Sequence, residues 1–117
     1  MEDFNITEKK YDNLVVLHLE GFLDAHTSVE LENALENLMD RKSYNLIVNF
    51  EKLSYISSAG LGVFMAFIEK VRNNNGDIKL CSMSEKIFNI FDILGFPLLF
   101  EIIATEEEAK NKFINRN

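Results

Sequence analysis

The run Asn45-Leu46-Ile47-Val48-Asn49-Phe50 limits the fold most tightly. Side chains along a strand point alternately to opposite faces, and here both alternations carry large apolar groups. Such a strand needs cover on both faces, as in a parallel sheet flanked by helices. The neighbouring segments agree. Before it, Leu31, Ala34, Leu35 and Leu38 recur at helical spacing, with Glu32, Glu36 and Asp40 off that stripe. After it, a second helical pattern lasts to about Asn73 and stops at Asn73-Asn74-Asn75-Gly76.

The remaining segments extend this alternation. Phe4 to Lys9 and Leu14 to Leu19 read as strands, and Tyr11-Asp12-Asn13 suits the turn of an antiparallel hairpin. His18 is out of phase with Val15, Leu17 and Leu19 and is expected on the opposite side of the sheet. Gly21 is expected to end that strand, and Thr27 and Glu30 have capping-box spacing at the first helix. Asp77 to Cys81 predicts a short strand. Ser84 then caps a helix carrying Ile87, Phe88, Phe91 and Leu94, which Gly95 and Pro97 end. Leu98 to Ile103 predicts a last strand. Thr105 and Glu108 open a final helix with the i,i+4 pairs Glu106–Lys110 and Glu108–Lys112. The order ββαβαβαβα implies an α/β fold: one domain over residues 1–117, a mainly parallel central sheet, an N-terminal hairpin and about four helices.

Charge and composition narrow the function. A formal net charge of −7 disfavours nucleic acid and anionic membrane, and the basic residues form no stripe. A protein partner, with a basic docking surface, suits this charge better. The apolar runs fall short of the roughly 20 residues that span a bilayer, so no direct membrane insertion is expected. The opening MEDFNITEKK is acidic and polar, unlike a signal peptide, and a cytoplasmic location is the expectation. Cys81 is the only cysteine and lies in an apolar strand, where a buried small hydrophobe is expected.

The stretch 53-LSYISSAGLGVF-64 gathers the small residues Ser57, Ser58, Ala59, Gly60 and Gly62 between apolar runs. They stand where a buried strand passes into a helix. A helix start leaves backbone N–H groups unpaired, and its partial positive charge favours an anion. A serine there either caps the helix or carries a phosphate. Around the helix, Leu61, Phe64, Ile68 and Val71 cluster on one side, flanked by Phe67 and Met65. The opposite side holds Gly62, Val63, Ala66, Glu69, Lys70 and Asn73, without charge or much bulk in its first two turns. Either a partner protein approaches this surface closely or a neighbouring loop of the same domain packs on it.

Catalysis is not expected. The serines lack the Gly-x-Ser-x-Gly elbow, and His18 and His26 stand in a strand and a turn. The glycines form neither a dinucleotide fingerprint nor a P-loop, and no His/Cys cluster has metal-ligand spacing, so no cofactor or metal is expected.

Three motifs in order, 21-GFLDAHT-27, 53-LSYISSAGLGVF-64 and 84-SEKIFNIFDILGF-96, resemble the STAS family, specifically the bacterial anti-sigma factor antagonists. The resemblance spans nearly the whole chain. In that family the middle motif usually reads Asp-Ser-Ser/Thr-Gly-Leu-Gly, and the serine after the Asp is phosphorylated by an anti-sigma factor that is also a kinase. Aligned on Gly60-Leu61-Gly62, that serine corresponds to Ser58, with Ser57 in place of the Asp and Ala59 in place of the second Ser/Thr. Ser57 is the second choice of acceptor. The resemblance implies partner switching. The unphosphorylated chain binds an anti-sigma factor serine kinase and releases its sigma factor, phosphorylation breaks the complex, and a serine phosphatase resets it. The implied contact surface comprises Ser57, Ser58, Ala59, Gly60, Gly62, Val63 and Ala66. Asp24 and Thr27 either border that surface or serve their own loop. The alternative within the fold is an accessory subunit of a membrane transport ATPase, without a phosphate cycle.

Overall fold

A computed structural model describes residues 3–114. The chain opens with β1 (Phe4–Tyr11) and β2 (Leu14–Leu23), followed by α1 (Ser28–Asp40), β3 (Asn45–Ile56) and α2 (Ser58–Asn73). Then come β4 (Asp77–Cys81), α3 (Glu85–Ile93), a 3-10 turn (Phe96–Leu98), β5 (Ile102–Ile103) and α4 (Glu106–Ile114). The five strands form one sheet in chain order. β1 and β2 pair antiparallel, and every later pairing is parallel.

That order decides where the helices go. Parallel neighbours joined in sequence have right-handed crossovers, which keep successive helices on one face. Accordingly Leu46, Val48 and Phe50 of β3 share a core with Leu31 of α1, Phe64 of α2 and Phe91 of α3. Ile47 points the other way and joins Val16, Cys81, Ala109 and Phe113 under α4. The two-sided burial expected of β3 is therefore real. Each large side chain removed from water contributes about 1.5–3 kcal/mol to stability.

The centre of the first core is aromatic. Phe64 lies 5.7 Å from Phe50, 6.5 Å from Phe91 and 6.5 Å from Phe100, centroid to centroid. Phe96 stacks on Phe100 at 5.4 Å. These contacts override the strand expected over Leu98 to Ile103. Phe100 is drawn into the cluster, the 3-10 turn occupies Phe96–Leu98, and only Ile102–Ile103 pair with β4.

Other expectations change too. Gly21 does not end β2. It sits within the strand at φ 96°, where the register with β3 shifts. A side chain there would collide with the Asp3 carbonyl, so the bulge requires glycine. Thr27 makes no capping box with Glu30, because it is already helical at φ −87° and ψ −13°. Its hydroxyl donates instead to Phe22 O at 2.7 Å.

On the α4 face, His18 meets Glu106 at 2.7 Å, confirming the side expected of it. Glu106 also accepts from Asn49 Nδ2 at 2.8 Å and pairs with Lys110 at 3.3 Å. Burial raises the Glu106 pKa, but the hydrogen bonds from Asn49, Lys110 and His18 outweigh it and hold the carboxyl below its usual range. Lys112 reaches Glu101 at 2.9 Å, whereas Glu108 accepts from the Thr105 hydroxyl at 3.0 Å. The expected Glu108–Lys112 pair is replaced by these contacts. Cys81 is fully buried, and burial pushes its thiol up to about 11, so it is an inert core residue.

Candidate functional site

Two strand ends meet at the site. β2 and β3 run parallel to their last residues, Phe22 beside Tyr55 and Leu23 beside Ile56. The Ser57 N–H then donates to Leu23 O at 2.9 Å, which ties the start of α2 to the end of β2. Asp24 follows directly. Its carboxylate accepts the N–H groups of His26 and Thr27, both at 2.9 Å. The Thr27 hydroxyl accepts the Asp24 N–H at 2.9 Å, closing the turn. The Thr27 backbone hydrogen bond, foremost, holds the half-buried Asp24 carboxyl below its usual range. Asp24 and Thr27 thus brace their own loop, next to the start of α2.

The two serines have different surroundings. Ser57 is extended, at φ −99° and ψ 171°, and its Oγ accepts the Gly60 N–H at 3.3 Å. It is the half-buried N-cap. Ser58 is the first helical residue and is exposed, as is Ala59. No acidic residue lies in the first turn of α2, so nothing there offsets the partial positive charge of the helix start.

The small residues divide likewise. Gly60 is buried, and a Cβ on it would stand 2.8 Å from Leu23 Cγ and 3.1 Å from Ile56 Cγ1. Its bareness lets α2 seat against the two strand ends. Around Gly62 the corresponding space is empty to 4 Å. Ala66 is exposed, and no loop of the described residues covers Gly62. The outer face differs from expectation on both flanks. Val63, expected outside, is 9% exposed and belongs to the core, whereas Met65, expected to flank the core, is 48% exposed. Gly60 and Val63 accordingly support the face from within, and Ser58, Ala59, Gly62, Met65 and Ala66 compose it. The helix is rotated slightly relative to the sequence reading. Arg72, two turns beyond Met65 on the same edge, was the available clue to that edge's exposure.

One substitution applied two residues apart tests this division. Gly62→Ala should gain about 0.5–1 kcal/mol, because glycine weakens an open helix by that amount. Gly60→Ala must displace the fully buried Leu23 and should destabilise. Thermal melts with opposite shifts in Tm are the expected result.

Comparison with known proteins adds independent information. Residues 5–109 match the family model described as STAS domain. The anti-sigma-B factor antagonist of Bacillus subtilis is 29% identical over 90% of this chain and 95% of its own. The phosphorylated form of SpoIIAA, described as a Bacillus cell fate determinant, superposes with a TM-score of 0.73 at 25% identity, covering 95% of this chain and 99% of its own. The unphosphorylated form, described as an anti-sigma factor antagonist, superposes at 0.83 with 23% identity, covering 97% and 99%.

Proposed function

The chain belongs to the STAS domain family, and we propose that it is an anti-sigma factor antagonist whose bare α2 face receives an anti-sigma factor. Relatives carrying that description over almost their full length favour this reading over a transporter accessory subunit. In its unphosphorylated form the protein occupies the anti-sigma factor, and the sigma factor goes free. This takes place in the cytoplasm, where sigma factors act. Among the described residues no helix is long and apolar enough to cross a membrane.

One observation carries the proposal: an exposed Ser58 hydroxyl at the start of α2, beside the open space over Gly62. An anti-sigma factor serine kinase transfers the terminal phosphoryl group of ATP to Ser58 Oγ, and ADP and the hydroxyl proton depart. Ser57 is the poorer acceptor, because its oxygen is engaged as the helix cap. The phosphate brings about −1.5 to −2 charges. Enclosing these against a partner without a matching cation costs several kcal/mol, and ~2.7 kcal/mol already weakens binding about a hundredfold. The fold tolerates the charge, since a helix start favours an anion. A serine phosphatase returns the protein to its binding form.

The test is to incubate wild type, Ser57→Ala and Ser58→Ala with the purified kinase and ATP, and to read intact masses. Wild type and Ser57→Ala should each gain one phosphoryl group, and Ser58→Ala none. Modification of Ser58→Ala but not Ser57→Ala would move the switch to Ser57.

A further inference from the structure

Ser58, Gly62 and Met65 stand at positions i, i+4 and i+7 of α2, which is one stripe along the helix. Seven helical residues rise about 10 Å, so Met65 lies two turns from Ser58 on the same face. Glu69 follows it on that stripe one turn later. Of the five residues that compose the open face, Met65 alone is large, and it is 48% exposed.

The other methionines among the described residues are placed differently. Met39 is 4% exposed, and Met83 is half-buried and packs against the core. Met65 is therefore the one of the three whose sulfur a dissolved oxidant reaches most readily. Oxidation turns a flexible apolar thioether into a polar, chiral sulfoxide.

We propose that Met65 is a reversible oxidation site: its sulfoxide weakens the seat of the anti-sigma factor on α2, whatever the state of Ser58. The inference rests on reading the outer face of α2 as the contact. A hydroperoxide is the oxidant. Its O–O bond breaks, one oxygen bonds to Met65 Sδ, the sulfur gives up two electrons, and hydrogen peroxide is reduced to water. A methionine sulfoxide reductase reverses the step. Its thiols supply two electrons and two protons, and the oxygen leaves as water.

The position gives this small change its leverage. Interfaces draw most of their affinity from a few large, desolvated side chains, and glycine, alanine and serine offer none. A thioether adapts its shape to an apolar partner. A sulfoxide oxygen loses its water there and, without a donor opposite, costs affinity. Oxidation thus acts with the same sign as phosphorylation: the antagonist lets go, and the anti-sigma factor takes back its sigma factor. The fold is spared, because the oxygen is added on the solvent side of α2.

The experiment treats folded wild type and Met65→Leu with dilute hydrogen peroxide, removes the peroxide, and maps added oxygen by fragmentation. Treated and untreated chains, with untreated Ala66→Arg, are titrated by calorimetry against each purified anti-sigma factor serine kinase of the source genome, and Tm is measured alongside. Among Met39, Met65 and Met83, Met65 should take up oxygen first. Oxidised wild type should bind about tenfold more weakly with unchanged Tm, and sulfoxide reductase should restore its affinity. Met65→Leu should show the same affinity before and after peroxide. Earlier oxidation of Met39 or Met83 would overturn the inference, as would a weaker complex that accompanies a lowered Tm or persists in Met65→Leu. If wild type oxidised at Met65 binds as before while Ala66→Arg does not bind, only this inference falls. If Ala66→Arg also binds like untreated wild type, or if wild type binds none of the kinases, the reading beneath it falls as well.

Discussion

Ser58→Asp should lower the affinity for the proposed anti-sigma factor about a hundredfold and leave Tm unchanged. The side chain lies at the first position of α2, exposed, in a turn with no other carboxylate. The helix start accepts a negative charge, so folding tolerates the replacement. The complex does not, because a carboxylate pressed against a partner loses its water and gains no matching cation. Ser58→Ala should bind normally and resist phosphorylation. Ser57→Asp is the informative control. Aspartate caps a helix as well as serine does, and the resemblance puts an aspartate at this position in antagonists that bind their partners. It should therefore leave both Tm and affinity close to wild type. Calorimetric titration of the three variants checks the set. Equal losses for Ser57→Asp and Ser58→Asp would mean that added charge anywhere near α2 suffices.

Phe64→Ala removes about 3–5 kcal/mol of stability. Phe64 is wholly buried and touches aromatic rings from β3, α3 and the segment after the 3-10 turn. It holds α2 against the sheet, on the side opposite Gly62. Truncation leaves a cavity that rigid neighbours cannot fill, and domains of this kind have only about 5–15 kcal/mol in hand. Urea unfolding should show a midpoint shifted far down, or a chain unfolded at rest. A loss under about 1 kcal/mol would show that the cluster collapses onto the space or that α2 is held elsewhere. The same variant should weaken partner binding, because the α2 face depends on this anchor for its position.

The legible parts of the sequence were those with local causes. The strand pattern of Asn45 to Phe50, the stop at Asn73 to Gly76 and the cap at Ser84 all reappear, the last with the Ile87 N–H donating to Ser84 Oγ at 3.2 Å. The misjudged parts depend on contacts distant in sequence. β3 continues through Glu51 and Lys52 to Ile56 because the second half of β2 pairs with it, and no local propensity announces that. Thr27 lost its capping role to a carbonyl of β2 and to Asp24. Leu98 to Phe100 look like a strand, yet Phe100 is claimed by Phe64 and Phe96. At the site, the spacing of small residues located the helix start and its open side. It did not distinguish Gly60 from Gly62, since the difference lies in Leu23 and Ile56 beneath the former. Away from the site, the strand pattern of β4 did not reveal that Lys79 is 6% exposed, its ammonium held by Glu101 at 2.8 Å and Asp77 at 3.1 Å.

The central claim is that a phosphate on one hydroxyl decides whether another protein can rest on α2. Its most direct test compares the chain before and after phosphorylation by its kinase, each titrated against the anti-sigma factor, with the modified residue mapped by fragmentation. The phosphate should lie on Ser58, and the phosphorylated chain should bind at least about a hundredfold more weakly while melting at the same temperature. Equal affinity of the two forms would contradict the account, as would a weakened complex that traces to an unfolded α2.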